Sequence, residues 1–304
     1  MIVLITGASG FVGSALIKAL KEMKEVTEIR ALTRPSSKPS RLDSSVKAFT
    51  WDAETETPPA ASLKDVDAVF HLAGENVGQG RWTKEVRERI LDSREKGTRN
   101  LVAGLNLLSK KPVLISTSAV GFYGSRGSEV LTEESSPGEG FLAKVCGIWE
   151  AEANKYTGPR TVLLRFGVVL GNGGGMMGKV LPVFKAGVGG QIGDGKHWTS
   201  WIHLEDLVRL LIRAATDPLV SGIYNAVAPE PVTNETFTKS LGHVLHRPTL
   251  VHVPAFALRL ALGEMADQTL LASQRVTSLK LSALGFPFHY PTLDSALQNL
   301  SSHP

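Results

Sequence analysis

The chain has 304 residues, of which 42% are hydrophobic and 20% are charged, a composition typical of a folded globular protein. Its formal net charge is only +4, and its 33 basic residues are scattered, which argues against a nucleic-acid-binding face. A single cysteine, Cys146, excludes an intrachain disulfide and a cysteine-based metal cage. The eight histidines form no metal-binding pattern, so we expect no metal site.

The start of the chain and its apolar stretches bear on the cellular location of the protein. Met1 is followed at once by a predicted core strand, which leaves no room for a targeting peptide. The longest apolar stretch, residues 251–263, contains Pro254 and Arg259 and is too short to span a bilayer. We therefore expect a soluble, cytoplasmic protein with a small-molecule substrate and with neither a membrane nor a nucleic-acid partner. The sequence leaves the oligomeric state open.

The first half of the chain alternates short β-rich runs with segments of helical period, which is typical of a parallel sheet flanked by helices. The predicted strands are, in order, residues 2–5, 29–33, 46–51, 67–72, 113–116 and 161–166. Helices are predicted over residues 11–21 and 84–108. Beyond residue 170 a glycine-dense stretch leads into smaller pieces, with helices predicted at 177–184, 204–215 and 234–245 and extended segments at 200–203 and 223–227.

This order of elements predicts an α/β protein, namely a doubly wound parallel-sheet Rossmann fold with a smaller C-terminal α/β substrate lobe. We place the boundary near residue 170, where the alternation of strands and helices gives way to a glycine-dense stretch. Residues 1–170 would then form the dinucleotide-binding domain, and residues 171–304 the smaller substrate or lid lobe. Ligands of such sheets bind beyond the carboxyl ends of the strands, so we expect the functional residues at that edge.

A glycine-rich turn with the pattern Gly7-x-x-Gly10-x-x-Gly13 joins the first predicted strand to the first helix. Gly7 permits the tight turn, Gly10 lets the backbone approach a pyrophosphate, and Gly13 lets helix and strand pack closely. The N–H groups at the start of the helix, around Phe11 and Val12, favour a bound anion. Because strand, turn and helix agree, we predict a dinucleotide site here, although the spacing differs from Gly-x-Gly-x-x-Gly.

The end of the second predicted strand distinguishes NADP(H) from NAD. An NAD site carries an Asp or Glu about 20 residues past the last glycine, and this carboxylate holds the ribose 2′-hydroxyl. Here Thr33 occupies that position and Arg34 follows it, with Lys38 and Arg41 close by. A guanidinium can bind a 2′-phosphate through two hydrogen bonds, so the sequence favours NADP(H). The alternative is that Arg34 is a solvated loop residue.

Several segments resemble the extended short-chain dehydrogenase/reductase superfamily, which includes the nucleotide-sugar epimerases. They are the strand-end motifs of residues 69–75, 115–124 and 165–171, and residues 201–206 before a predicted helix. A narrower set resembles an atypical subgroup, the "epimerase family proteins", over residues 1–299. Its motifs stand at residues 72–76, 81–82, 93–94, 149–150, 173–175, 201–203 and 285–286.

The resemblance implies cofactor contacts at two strand ends and on the long helix. These contacts are Thr33, Arg34, Leu72, Ala73 and Arg94. We add Gly74 from the fourth-strand motif and Ser116 from the serine-rich end of the fifth strand. The substrate implied by the resemblance is a small or nucleotide-linked alcohol or carbonyl compound held by the second lobe.

The Tyr-x-x-x-Lys pair that this superfamily uses for catalysis is absent from the chain. The lysine lowers the pKa of the tyrosine, so that the tyrosine can pass a proton while hydride moves. Counted back from Trp149-Glu150, the tyrosine position falls on Leu142 and the lysine position on Cys146, and neither side chain can do this chemistry. Cys146 shares an apolar helix stripe with Leu142, so we expect a buried, inert thiol.

Three other residues are candidates for catalysis. Ser118 could orient a substrate carbonyl, while Tyr123 on a glycine-flanked loop and Glu75 at a strand end could supply a proton. Each has a simpler explanation. Ser118 could make a strand-end hydrogen bond, Tyr123 could be a packed aromatic residue, and Glu75 could pair with an arginine.

Three functions fit the sequence. The first is an NADP(H)-dependent oxidoreductase, which a complete second lobe with a glycine-rich segment favours. The second is a non-catalytic NADP(H)-binding sensor or regulatory protein, which the missing tyrosine and lysine favour. The third, a nucleotide-sugar epimerase, ranks last because it needs tightly held NAD and the Tyr-x-x-x-Lys pair.

Overall fold

The computed structural model describes residues 1–35 and 42–302. In chain order the strands are β1 (Ile2–Thr6), β2 (Glu28–Thr33), β3 (Lys47–Thr50), β4 (Ala68–His71), β5 (Val113–Ala119), β6 (Val130–Leu131), β7 (Thr161–Phe166), β8 (Val168–Leu170), β9 (Gly190–Ile192), β10 (Trp198–Thr199), β11 (Trp201–His203), β12 (Gly222–Ala226), β13 (Val232–Thr233), β14 (Val251–Val253) and β15 (Arg275–Val276). The helices are α1 (Phe11–Lys21), α2 (Ala60–Leu63), α3 (Lys84–Asn106), α4 (Phe141–Ala153), α5 (Met177–Lys185), α6 (Leu204–Thr216), α7 (Asn234–Leu245), α8 (Ala255–Leu262), α9 (Leu279–Ala283) and α10 (Leu293–Ser302).

Seven strands form one parallel sheet in the order β12-β7-β5-β4-β1-β2-β3. The chain first adds β2 and β3 on one side of β1, and then returns to add β4, β5, β7 and β12 on the other side. This is the doubly wound arrangement, and it confirms the predicted α/β fold of Rossmann type. The crevice between the carboxyl ends of β1 and β4 is the place where sheets of this kind bind ligands.

Alternate side chains of β1 pack on opposite faces of the sheet. Val3 and Ile5 join the core cluster that contains Leu16 of α1, whereas Leu4 joins the cluster that contains Leu101 of α3. All three side chains of this strand are fully buried. A strand covered by helices on both faces needs apolar residues at every position, which explains the continuous apolar run that predicted it.

The chain beyond residue 170 returns to the main sheet. We expected residues 223–227 in the second lobe, but β12 pairs with β7 and is the outermost strand of the seven. The helix before it, α6, packs beside α1 in the same core cluster. The division of the chain near residue 170 stays a prediction, and the segment after it contributes both to the sheet and to a separate core.

That separate core is built around Trp201. Phe184 of α5, Phe237 of α7 and Leu297 of α10 pack in one cluster with this tryptophan. The Trp201 side chain is fully buried, and its indole N–H donates to the carbonyl of Glu230 over 3.0 Å. Three pairs of short strands, β8–β11, β9–β14 and β10–β13, form in this part of the chain, and residues of the first and third pairs join the cluster. The chain beyond residue 170 therefore contributes an apolar centre that is separate from those of the main sheet.

Two further features concern the whole described chain. Within residues 1–35 and 42–302, no helix combines the length and the apolar character needed to cross a membrane. The same residues include no group of three or more His, Cys, Asp or Glu side chains placed to hold a metal ion. Cys146 is buried in α4, as its place on the apolar stripe predicts.

Candidate functional site

A cleft of about 330 Å³ opens at the carboxyl ends of β1 to β4. Arg89 and Ser93 of α3 close one side of it. The other walls are formed by residues 6–10 after β1, 32–34 at the end of β2, 51–54 after β3 and 72–75 after β4. Four strand ends and one helix therefore meet where a doubly wound sheet binds its ligands.

The glycine turn between β1 and α1 leaves no room for side chains. Gly7 has a φ of +71°, and a Cβ there would lie 2.8 Å from the backbone carbonyl of Leu72. A Cβ on Gly13 would lie 2.3 Å from the carbonyl oxygen of Gly7, so α1 could not pack this close to β1. The Gly10 N–H donates to that same oxygen over 2.9 Å and closes the turn. This is the geometry that the sequence predicted for Gly7 and Gly13.

The first turn of α1 begins beside the cleft, whose lining ends at Gly10 and does not include Phe11, Val12 or Gly13. Gly10 is the N-cap residue and has no side chain to cap the helix, so the N–H groups of Phe11 and Val12 have no capping partner. The aligned peptide dipoles add partial positive charge at this end. The Phe11 ring packs elsewhere, since a Cβ on Gly171 or Gly174 would lie 2.7 Å from its atoms. The Val12 side chain packs against the core cluster of the sheet, so what both residues can offer a ligand is their backbone.

The end of β2 forms one wall of the cleft. Thr33 donates its hydroxyl to the carbonyl of Phe49 over 3.3 Å, which ties β2 to the neighbouring β3. Arg34 follows directly, lines the cleft, and keeps 75% of its side chain exposed. Lys38 and Arg41, which the sequence placed nearby, lie outside the described residues.

Two arginines approach Glu75 at the mouth of the cleft. Nη1 of Arg34 lies 3.8 Å from Oε2 of Glu75, and Nε of Arg89 lies 3.9 Å from Oε1. The backbone of Glu75 is held firmly, because its N–H donates to Oγ of Ser93 over 3.0 Å and its carbonyl accepts from Nη1 of Arg94 over 3.1 Å. Glu75 therefore has an arginine partner, which was the alternative to a catalytic role.

The strand end below the cleft is anchored by a buried chain of hydrogen bonds. Oγ1 of Thr6 lies 2.8 Å from Nδ1 of His71 and accepts the N–H of Ala73 over 3.1 Å. Nε2 of His71 lies 2.8 Å from the hydroxyl of Thr98 in α3. Burial, together with the nearby charge of Arg94, lowers the pKa of His71 to about 4. This network fixes three of the predicted contact residues as the floor of the cleft, namely Leu72, Ala73 and Gly74.

Arg94 lies directly behind this floor. A Cβ on Gly74 would lie 3.1 Å from Cζ of Arg94, and the centre of the Trp149 ring lies 4.9 Å from the same carbon. Burial of the guanidinium lowers the pKa of Arg94. Ser116 is fully buried in β5, and its hydroxyl has no hydrogen-bond partner among the described residues. The structure thus brings Arg94 to the floor of the cleft and leaves Ser116 inside the sheet.

Two of the predicted catalytic residues lie in a buried network. Ser118 donates its hydroxyl proton to Oε1 of Glu150 over 2.6 Å, and Arg165 binds both carboxylate oxygens at 2.8 and 2.7 Å. Arg165 also donates to the hydroxyl of Tyr123 over 2.8 Å, and this hydroxyl donates to Oδ1 of Asn225 over 2.7 Å. Tyr123 is fully buried, and burial raises its pKa. It therefore lies in the core rather than on an accessible loop, so its position gives a catalytic role no support.

A second cleft, of about 610 Å³, opens beside the first residues of α4. Leu142, at the tyrosine position of the resembled superfamily, lines this cleft and donates its N–H to Oε1 of Gln268 over 2.8 Å. Cys146, at the lysine position, is buried one turn further along, and burial raises the pKa of its thiol to about 11. The other residues that line the second cleft come from three segments and are Gly121, Gly124, Ser125, Arg126, Pro137, Gly138, Glu139, Gly140, Ala143, Asp267, Gln268, Ala272 and Gln274.

Three parts of the first cleft were not expected from the sequence, namely residues 51–54, Arg89 and Ser93. A signal for residues 51–54 was present, because the rule that ligands bind beyond strand ends applies to β3 as well. Ser93 belongs to the motif of residues 93–94 in the resembled subgroup, although no contact was assigned to it, and no signal marks Arg89. They lie on a long polar helix, and only the packing of α3 against the sheet shows which of its residues reach the cleft.

Comparison with known proteins gives the family of the chain. The model of the NAD dependent epimerase/dehydratase family matches residues 3–226, and a domain of unknown function, DUF1731, matches residues 253–300. An epimerase family protein of Mycobacterium bovis is 39% identical over 305 aligned positions, which cover 100% of this chain and 98% of the relative.

Two solved structures are similar over the full length of the chain. Human epimerase family protein SDR39U1 (isoform 2), crystallised with NADPH, matches with a TM-score of 0.88 and 30% identity, and the match covers 100% of both chains. A nucleoside-diphosphate sugar epimerase from Corynebacterium glutamicum has a TM-score of 0.77 and 36% identity, and the match covers 99% of this chain and 58% of that one. These matches confirm the resemblance to the atypical epimerase family proteins. The chain belongs to the NAD dependent epimerase/dehydratase family.

Proposed function

We propose that the protein binds NADP(H) in the cleft at the ends of β1 to β4 and uses it as an oxidoreductase. The substrate would be a small or nucleotide-linked alcohol or carbonyl compound in the second cleft. The observation that carries the cofactor assignment is Arg34, whose guanidinium is 75% exposed at the mouth of a cleft that is lined up to Gly10, the N-cap residue of α1. The NADPH in the human relative, which is 30% identical, supports the same cofactor.

The residues of the cleft fit the three parts of such a cofactor. The N–H groups of Phe11 and Val12 suit the pyrophosphate, because a helix N-terminus favours negative charge. The floor of Leu72 to Gly74 offers close backbone contact, and residues 51–54 offer a wall for the adenine. Arg34 suits the 2′-phosphate, which distinguishes NADP(H) from NAD.

The cofactor assignment is tested by titrating the protein with NADPH and with NADH while following tryptophan fluorescence. Loss of a charged hydrogen bond in Arg34→Ala should weaken NADPH binding by about 10- to 150-fold and leave NADH binding nearly unchanged. The control is Lys84→Ala, which removes an exposed cation of α3 that does not line the cleft. Equal binding of the two cofactors, with no effect of Arg34→Ala, would show that the assignment to NADP(H) is wrong.

The oxidoreductase part of the proposal rests on how α4 connects the two clefts. Leu142 of α4 lines the second cleft, and Trp149 of the same helix contacts Arg94 behind the floor of the first. The bound cofactor would supply hydride chemistry. Ser118 and Tyr123 already donate their hydroxyl protons inside the core, which leaves water in the second cleft as the proton source that we favour.

Turnover is tested by following the oxidation of NADPH with a panel of small carbonyl compounds and sugar nucleotides. Carbonyl-dependent oxidation that Leu142→Trp abolishes, with NADPH affinity unchanged, would support catalysis in the second cleft. Tight NADPH binding without turnover of any panel member would favour the second candidate, a non-catalytic sensor or regulatory protein. The observation behind that candidate is that Leu142 and Cys146 stand at the two catalytic positions. An epimerase would instead be isolated with NAD tightly bound.

A further inference from the structure

Glu75 lies between two guanidinium groups that come from different parts of the fold. Arg34 reaches it from the end of β2 and Arg89 from α3, at 3.8 and 3.9 Å. Both separations exceed the range of a hydrogen bond, which ends near 3.2 Å for an N–H donor and an oxygen acceptor. Within residues 1–35 and 42–302 neither guanidinium donates a hydrogen bond, and their side chains are 75% and 57% exposed, although Arg89 also lies near the charge of Glu85.

We propose that Arg34, Glu75 and Arg89 together form the site for the 2′-phosphate of NADP(H). In this site Arg89 is a second phosphate-binding cation, and Glu75 is an internal anion that competes with the phosphate for both arginines. The inference rests on the proposed function, because it assumes that NADP(H) occupies the first cleft. It assigns Glu75 a part in cofactor selection rather than in proton transfer.

The charges of the two anions decide which of them the arginines prefer. A phosphate monoester carries a charge of about −1.5 to −2 and three acceptor oxygens, whereas the Glu75 carboxylate carries a single charge. Arg34 and Arg89 are 75% and 57% exposed, and ion pairs of such exposed side chains contribute little stability. A 2′-phosphate that makes paired hydrogen bonds therefore displaces the carboxylate readily.

Only the side chain of Glu75 needs to move for this exchange. Its backbone is tied to α3 through Ser93 and Arg94, whereas within residues 1–35 and 42–302 its carboxylate makes two loose ion pairs, with Arg34 and Arg89, and a longer-range charge interaction with Arg94. NADH has no 2′-phosphate and does not compete with the carboxylate for the arginines. Glu75 therefore weakens the binding of NADPH more than the binding of NADH.

The experiment measures four ligands on the full chain and its variants. Adenosine 2′,5′-bisphosphate contains the 2′-phosphate without a pyrophosphate, ADP contains a pyrophosphate without the 2′-phosphate, and NADPH and NADH are the complete pair. Arg89→Ala should weaken NADPH and the bisphosphate by about fivefold and leave ADP and NADH within about twofold. Glu75→Gln, which removes one charge, should strengthen NADPH and the bisphosphate by about fivefold without strengthening NADH. Lys84→Ala, again the control, should change the affinity for all four ligands by the same factor.

The outcomes separate this inference from the proposed function. If Arg89→Ala weakens ADP as much as the bisphosphate, the arginine binds the pyrophosphate and the inference is wrong. If Glu75→Gln weakens both dinucleotides, the side chain is structural and the inference is also wrong. In either case the preference for NADPH that depends on Arg34 can stand. If the native chain binds none of the four ligands, the proposed function fails and the inference fails with it.

Discussion

Removal of the charge of Glu150 should destabilise the fold strongly. In Glu150→Gln the guanidinium of Arg165 stays charged and 2% exposed, but it loses the carboxylate that binds it at 2.8 and 2.7 Å. A buried ion pair broken from one side typically costs about 3–5 kcal/mol, because a charge is left buried without a partner. The glutamine keeps one acceptor oxygen for Arg165, so we expect a loss near the lower limit, about 3 kcal/mol.

The double variant Glu150→Gln/Arg165→Met separates the lost pair from lost packing. The double variant leaves no unpaired buried charge. Its free energy of unfolding should therefore fall by less than the sum of the losses in Glu150→Gln and in Arg165→Met. Urea unfolding followed by circular dichroism gives all four free energies. A loss below about 1 kcal/mol in Glu150→Gln, or strict additivity in the double variant, would refute the reasoning.

Three more predictions concern the cleft and the core. Gly13→Ala places a Cβ 2.3 Å from the carbonyl oxygen of Gly7, so we expect cofactor titration to show no binding, whereas Gly178→Ala, with nothing within 4 Å, should bind normally. The pKa of His71 is lowered from 6.5 to about 4, so the unfolded chain binds the extra proton in this window and stability falls as the pH falls. Urea unfolding between these pH values should show a loss of about 3 kcal/mol, and His71→Gln should remove this slope. The thiol of Cys146, with a pKa of about 11, should react with a thiol reagent only in urea, and rapid labelling of the native protein would contradict its burial.

The fold was predictable where local pattern and burial agree. The apolar run of β1 is needed because helices cover both faces of the sheet, so the pattern and the packing have the same cause. The predicted helix of residues 11–21 has the bounds observed for α1, because Gly10 and Gly13 fix its start against the strand. Steric requirements of this kind act over a few residues and are therefore visible in the sequence.

The catalytic candidates were not predictable in the same way, because their partners are distant in the chain. Ser118 bonds to a residue 32 positions away, and Tyr123 bonds to residues 42 and 102 positions away. No local pattern shows that Glu150, Arg165 and Asn225 would meet them in the core. The same applies to β12, which joins the sheet beside β7 only after the chain has passed through part of the second lobe.

The contact between Phe11 and the glycine stretch of residues 171–175 connects the start of α1 to the segment that leads into α5. The ring lies on the first turn of α1, and the stretch packed on it leads directly into α5. We expect a ligand that restricts the first turn to restrict this stretch as well, because the Phe11 ring packs against it. By reciprocity, whatever orders the stretch raises the affinity of the ligand by the same factor. Substitutions in the C-terminal lobe can therefore adjust the occupancy of the first cleft without changing any residue that lines it.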